Sequence, residues 1–166
     1  VEVGSYQGGS TLRMAEILKF FKINCKIICI DTWLGSLENL SPGEHNNNLK
    51  KINGYPSIFY HFLKNIKKEG YTDIITPLPT TSLDGARFLN QNNIKADIIY
   101  IDASHYYPDV YMDMVFYWKI LKNGGVLCGD DYDDSWPEVK DSVHQFCCEN
   151  DFEFRVFFHK WIIHKK

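Results

Sequence analysis

Apolar residues in this chain gather into short unbroken runs, and the stretches between them repeat at helical spacing. Residues 1–3 read as the end of a strand. Lys26-Ile27-Ile28-Cys29-Ile30 predicts a second strand that stops at Asp31. Residues 73–76 predict a third, residues 96–101 a fourth that is apolar except at Asp97, and residues 125–129 a fifth. Leu12, Ala15, Leu18 and Phe21 fall on one helical face, with Ser10 or Thr11 as the expected cap. Further helices are predicted over residues 56–69, 83–89, 108–121 and 136–149, the third opened by Pro108. Residues 152–158 and 161–164 predict a closing antiparallel hairpin. Residues 36–55 are polar and Asn-rich, contain Pro42 and Gly43, and show no periodicity, which predicts a functional or disordered loop.

Strands without polar alternation, separated by helices, imply a parallel sheet covered on both faces. The expected class is α/β, a three-layer α/β/α sandwich. Ligands of such sheets bind at the carboxyl ends of the strands, where strand order reverses. The residues just after each strand are therefore the candidates for chemistry.

Composition narrows the choice. A length of 166 residues fits one domain, and 45% hydrophobic content supports a core. A net charge of −3 argues against a nucleic-acid partner, and the Lys-rich stretch at residues 64–68 reads as the solvated face of a helix. No apolar run approaches the roughly 20 residues that cross a bilayer, and no signal-peptide pattern opens the chain, so no membrane association is expected. The five cysteines form no C-x-x-C pair, which disfavours structural zinc and disulfides and makes a reduced, cytoplasmic setting the expectation. The sequence opens on Val1 without Met, so an upstream segment is expected.

The first strand runs into Glu2-Val3-Gly4-Ser5-Tyr6-Gln7-Gly8-Gly9-Ser10-Thr11. Glycines here let the backbone approach a ligand, although a merely structural turn would use them too. The spacing is not G-x-G-x-x-G, which disfavours a nicotinamide dinucleotide and hence an oxidoreductase. Asp31, after the second strand, can accept two ribose hydroxyls, or simply cap a helix or face solvent.

Glu-x-Gly-x-x-x-Gly-x-Ser at residues 2–10, followed one helix and one strand later by Asp31, resembles the class I S-adenosylmethionine-dependent methyltransferases. Tyr6 stands where the commonest pattern has Gly, a departure shared with the metal-dependent small-molecule and sugar O-methyltransferases. The resemblance covers the whole chain. It implies a Rossmann-like fold with a mostly parallel seven-stranded sheet and a C-terminal antiparallel hairpin. It also implies a site for S-adenosylmethionine formed by Glu2, Gly4, Ser5, Tyr6, Gly8, Ser10, Thr11, Asp31, Thr32, Trp33, Thr81, Ser82 and Asp102. In that site Glu2 and Gly4 face the methionine part, Asp31 the ribose, and Thr81-Ser82 the adenine.

Asp102 follows the fourth strand, and Asp130 and Asp131 follow the fifth. Neighbouring strands lie about 4.8 Å apart, so the three carboxylates should converge and repel unless a cation sits between them. Mg²⁺ or another divalent cation would satisfy Asp102, Asp130 and Asp131. The alternative is that Asp130 or Asp131 caps a turn while Asp102 contacts the cofactor. His105, three residues past Asp102, has an ordinary pKa suited to taking a hydroxyl proton, although a lone His is more often a surface or core residue. In the resembling branch the Asp-x-x-His element supplies a metal ligand and the general base, which makes Asp102 and His105 the candidate catalytic pair.

The expected function is methyl transfer to a hydroxyl of a small molecule or sugar. The alternative is a non-catalytic module that binds the cofactor or a partner chain. Residues 1–166 are expected to form one domain, in which residues 34–60 could form a lid or substrate wall. Trp33, Tyr55, Tyr60 and His61 could stack there on an acceptor, while Phe59 and Phe62 are better placed in the core. Self-association into a homo-oligomer stays open.

Overall fold

The apolar runs become strands and the periodic stretches become helices. The structure is a computed structural model that describes residues 1–40 and 49–166. In chain order the elements are β1 (Glu2–Val3), α1 (Gly9–Phe20), β2 (Ile27–Asp31), α2 (Leu37–Leu40), β3 (Lys51–Ile52), β4 (Tyr55–Pro56), α3 (Ile58–Glu69), β5 (Ile75–Pro79), α4 (Ser82–Gln91), β6 (Ala96–Ile101), α5 (Asp109–Trp118), β7 (Leu121–Gly129), α6 (Pro137–Asn150), β8 (Phe154–Phe157) and β9 (Lys160–His164). The main sheet has seven strands in the order β5-β2-β1-β6-β7-β9-β8. Pairs β1–β6, β6–β7 and β2–β5 are parallel, whereas β9 runs antiparallel to β7 and β8. This is the Rossmann-like, mostly parallel sheet with a terminal antiparallel hairpin that the sequence predicts.

The chain divides into two compact units, Ser5–Thr80 and Val1–Gly4 with Thr81–Lys166. In the first, α3 turns Ile58, Phe62 and Ile66 inward at four-residue spacing. They join Ala15, Cys29 and Ile75 in one apolar cluster. Lys64, Lys67 and Lys68 point to water, so this basic stretch is the solvated face that its spacing predicts.

In the second unit, Ile99 pairs with Leu127 across β6–β7, and Leu127 with Ile163 across β7–β9. All three side chains are fully buried. Each such burial is worth about 1.5–3 kcal/mol, so this row alone pins three strands in register. Helix α5 buries Val110, Met114 and Tyr117, and α6, which buries Val139, Val143 and Phe146, packs beside it.

Four local expectations need correction. Helix α1 starts one residue before Ser10, with Gly8 at its N-cap and no side-chain cap. Thr11 is wholly buried and accepts from the Cys29 thiol at 3.8 Å, so it serves the core instead. Strand β5 runs on to Pro79, through Pro77, because it lies at the edge of the sheet, where proline is tolerated. Strand β7 begins at Leu121 and passes through Gly124-Gly125 rather than starting at Gly125. Part of the polar stretch forms a small hairpin, β3–β4, turned by Asn53 and Gly54 at φ 52° and 80°. Residues 41–48 of the expected lid lie outside the described residues.

Candidate active site

In the unit Ser5–Thr80, Asp31 closes β2 and organises the glycine-rich turn. Its Oδ2 accepts the backbone N–H groups of Ser5 and Tyr6 at 2.9 and 2.8 Å. Its Oδ1 accepts from Trp33 N–H at 2.7 Å. A carboxylate has about four acceptor positions, so the three bonds leave capacity for another donor. Asp31 is thus neither a simple helix cap nor an unengaged surface acid. The Trp33 indole is 2% exposed, lies 4.6 and 4.8 Å from the rings of Phe59 and Phe62, and donates its N–H to the Tyr6 carbonyl at 2.7 Å. Its ring belongs to the core and props the turn, rather than facing an acceptor. Tyr55 and Tyr60 are exposed. Thr32 accepts from Leu34 N–H at 3.2 Å and Ser10 lies in the first turn of α1.

In the other unit, β1 and β6 end side by side, with Val3 opposite Ile101. Gly4 follows β1 at φ +85°, and a Cβ there would lie 1.9 Å from the Asp102 carbonyl oxygen. Only glycine permits that approach, which brings the two strand ends together. Glu2 is fully buried. Thr81 caps α4, its Oγ1 accepting from Asp84 N–H at 3.2 Å, and the Ser82 carbonyl accepts from Tyr117 OH at 2.7 Å.

Asp102, His105 and Asp131 form a cluster at the ends of β6 and β7. Each offers a donor atom, all within 4.8 Å of one another. His105 Nε2 lies 2.8 Å from Asp131 Oδ2 and 3.8 Å from Asp102 Oδ1. Burial disfavours the charged ring, but hydrogen bonds and charge from Asp102 and Asp131 outweigh it and push His105 up to about 10. Trp136, just before α6, packs against the imidazole with ring centroids 4.3 Å apart and planes tilted by 35°.

Asp130, expected in the same cluster, turns away from it. Its Oδ2 accepts from Tyr100 OH at 2.8 Å and from the Lys160 ammonium, and its Oδ1 accepts from Asp131 N–H at 3.0 Å. Burial pushes its carboxyl up, but Lys160, Tyr100 and the Asp131 N–H outweigh that and hold it below its ordinary value. Asp131, at φ 60°, turns back to His105. Sequence reasoning missed Lys160 and Trp136. The signal for Lys160 lay in the hairpin, whose register sets it against Asp130.

Two carboxylates and an imidazole at this spacing fit a divalent cation, as a hard ion takes oxygen ligands and borderline ions accept imidazole. The same cluster can also hold and pass a proton. Among the described residues, no helix is long and apolar enough to cross a membrane.

Comparison with known proteins bears on the fold and the family. The O-methyltransferase NovP superposes with a TM-score of 0.74 at 18% identity, over 99% of this chain and 70% of that one. The calicheamicin methyltransferase CalS11 gives 0.71 at 14% identity, over 98% and 70%. A Bacillus cereus O-methyltransferase in complex with SAH gives 0.63 at 15%, over 98% and 70%. At such identities the likeness shows the fold. An uncharacterised protein of Acanthamoeba polyphaga mimivirus is 31% identical over 152 residues, 90% of this chain and 59% of that protein. The chain therefore spans less than two thirds of that relative. A family model described as a methyltransferase domain matches residues 1–132, and the chain belongs to that methyltransferase family.

Proposed function

We propose that this domain transfers a methyl group from S-adenosylmethionine to a hydroxyl of a small molecule or sugar, assisted by a divalent cation. The observation that carries the reading is the Asp102–His105–Asp131 cluster at the ends of adjacent parallel strands in a chain of this family. The names of the similar structures, an O-methyltransferase and a calicheamicin methyltransferase, point the same way.

In this reading Glu2 and Gly4 meet the methionine part of the cofactor, Asp31 the ribose hydroxyls, and Thr81-Ser82 the adenine. Ser5, Tyr6, Gly8, Ser10, Thr11, Thr32 and Trp33 shape the same site, Tyr6 and Trp33 through the turn that Asp31 holds. The sulfonium supplies a methyl group with a good leaving group: the new C–O bond forms as the S–C bond breaks. Much of the rate then comes from alignment. Asp102 and Asp131 would hold the divalent cation, which would polarise the acceptor hydroxyl. His105 takes the hydroxyl proton as the C–O bond forms. To do so the ring must be neutral, and that requires the charge of Asp102 and Asp131 to be balanced by something other than the imidazolium.

The test is methyl transfer with wild type, His105→Ala and Asp102→Ala against a panel of hydroxylated acceptors, with cofactor binding measured in parallel. Both variants are expected to lose turnover, with His105→Ala keeping cofactor affinity. Full turnover by both would refute the mechanism.

A further inference from the structure

Asp130 and Asp131 are adjacent in sequence yet serve different partners, and the hairpin explains why. Gly129 sits opposite Trp161 in the β7–β9 pairing. A Cβ at Gly129 would lie 2.4 Å from the Trp161 ring, and that ring is 1% exposed. This fit locks the register of β9 against β7. One residue further along both strands, the same register sets Lys160 against Asp130. The Lys160 ammonium donates to Asp130 Oδ2 and lies 3.1 Å from Tyr100 OH, which itself donates to the same oxygen. The second oxygen of Asp130 is taken by Asp131 N–H. As at Asp31, three donors leave one acceptor position, but here one of the three carries a full positive charge, which repels a second cation from the carboxylate.

We propose that Lys160 is a built-in cation that withdraws Asp130 from the divalent-cation ligands, leaving Asp102 and Asp131 as the carboxylates that hold the ion. Lys160 is a positioning residue: it fixes Asp130 as an anchor for the strand end, so that of the two adjacent acids only Asp131 turns to His105. Two carboxylates suffice for a divalent ion that keeps water and acceptor oxygens as its other ligands. The inference rests on the divalent-cation part of the proposed function.

The test is Mn²⁺ binding, read from the electron paramagnetic resonance signal of free Mn²⁺, with S-adenosylhomocysteine binding and thermal melting as controls of fold. Asp131→Asn is expected to weaken Mn²⁺ binding by about tenfold or more, the scale on which metal sites respond to lost ligand support. Asp130→Asn is expected to leave it within about threefold, as a residue outside the ligand set affects the ion only through charge. Lys160→Met, at a half-exposed position, is expected to tighten Mn²⁺ severalfold by releasing Asp130, and Lys160→Met/Asp130→Asn to return to the wild-type value. If Asp130→Asn weakens Mn²⁺ as much as Asp131→Asn, or Lys160→Met leaves it unchanged, the inference is wrong while the proposed function stands. If wild type binds S-adenosylhomocysteine but no Mn²⁺, the divalent-cation part of that function falls and takes the inference with it.

Discussion

His105 Nε2 lies 2.8 Å from Asp131 Oδ2, across the ends of two adjacent strands. Asp102 approaches the same nitrogen at 3.8 Å, and Trp136 packs against the ring. One imidazole thus sits beside two carboxylates, with an aromatic ring packed against it. Losing a positioned acid–base group typically costs about 10²- to 10⁴-fold in rate. His105→Ala should therefore lower kcat on that scale, while the dissociation constant for S-adenosylhomocysteine, measured by calorimetry, stays near wild type. Equal loss of rate and of cofactor affinity would mean that His105 holds the cofactor rather than the proton.

Asp31 predicts a coupled effect. Three backbone N–H groups converge on its carboxylate, two of them from the glycine-rich turn. Removing the acceptor leaves partly buried donors unsatisfied, at roughly 1–3 kcal/mol. Asp31→Ala should lower the urea midpoint and weaken cofactor binding together. An unchanged midpoint with lost binding would assign Asp31 to the ligand alone.

Gly4 and Gly9 should respond oppositely to the same substitution. A methyl at Gly4 would strike the Asp102 carbonyl and stand at a φ of +85°. Gly4→Ala should cost more than about 2 kcal/mol, since overpacking and positive-φ strain add there. Gly9 opens α1 with nothing within 4 Å of its added Cβ. Gly9→Ala should be neutral, or stabilising by about 0.5–1 kcal/mol, as alanine is the better helix former. Equilibrium unfolding of the two variants checks the contrast.

Asp113 makes stability depend on pH. It is 3% exposed on α5. Burial is the main reason its carboxyl rises to about 7; Ser82 opposes the shift and Asp109 adds to it. The folded state therefore binds this proton more tightly than the unfolded state. The contribution is fully present below the ordinary carboxylate value of about 4, is lost as pH rises to about 7, and is flat above that. The span is on the order of a few kcal/mol. Asp113→Asn should flatten this slope and raise stability at pH 8. A slope unchanged by the substitution would place its origin elsewhere.

Much of this was legible in the sequence because the signals were local. The buried-type runs at β2 and β6 mark where Asp31 and Asp102 must lie, and the four-residue spacing of Ile58, Phe62 and Ile66 marks the buried face of α3. The rest depends on contacts between residues far apart. Proline within β5 is permitted by its place at the sheet edge, which no local pattern reveals. Trp33 reads as an aromatic beside a ligand loop, yet Phe59 and Phe62, a helix away, draw it into the core. Asp130 and Asp131 look equivalent until the Gly129–Trp161 packing sets Lys160 against only one of them.

The most direct measurement is transfer of an isotope-labelled methyl group from S-adenosylmethionine to a panel of sugars and other hydroxylated small molecules, with wild type and His105→Ala, each with and without a chelator. Wild type is expected to place label on an acceptor oxygen, and that label is expected to be lost both in His105→Ala and on chelation. Label on nitrogen or carbon, or equal transfer by His105→Ala in chelator, would contradict the proposed function.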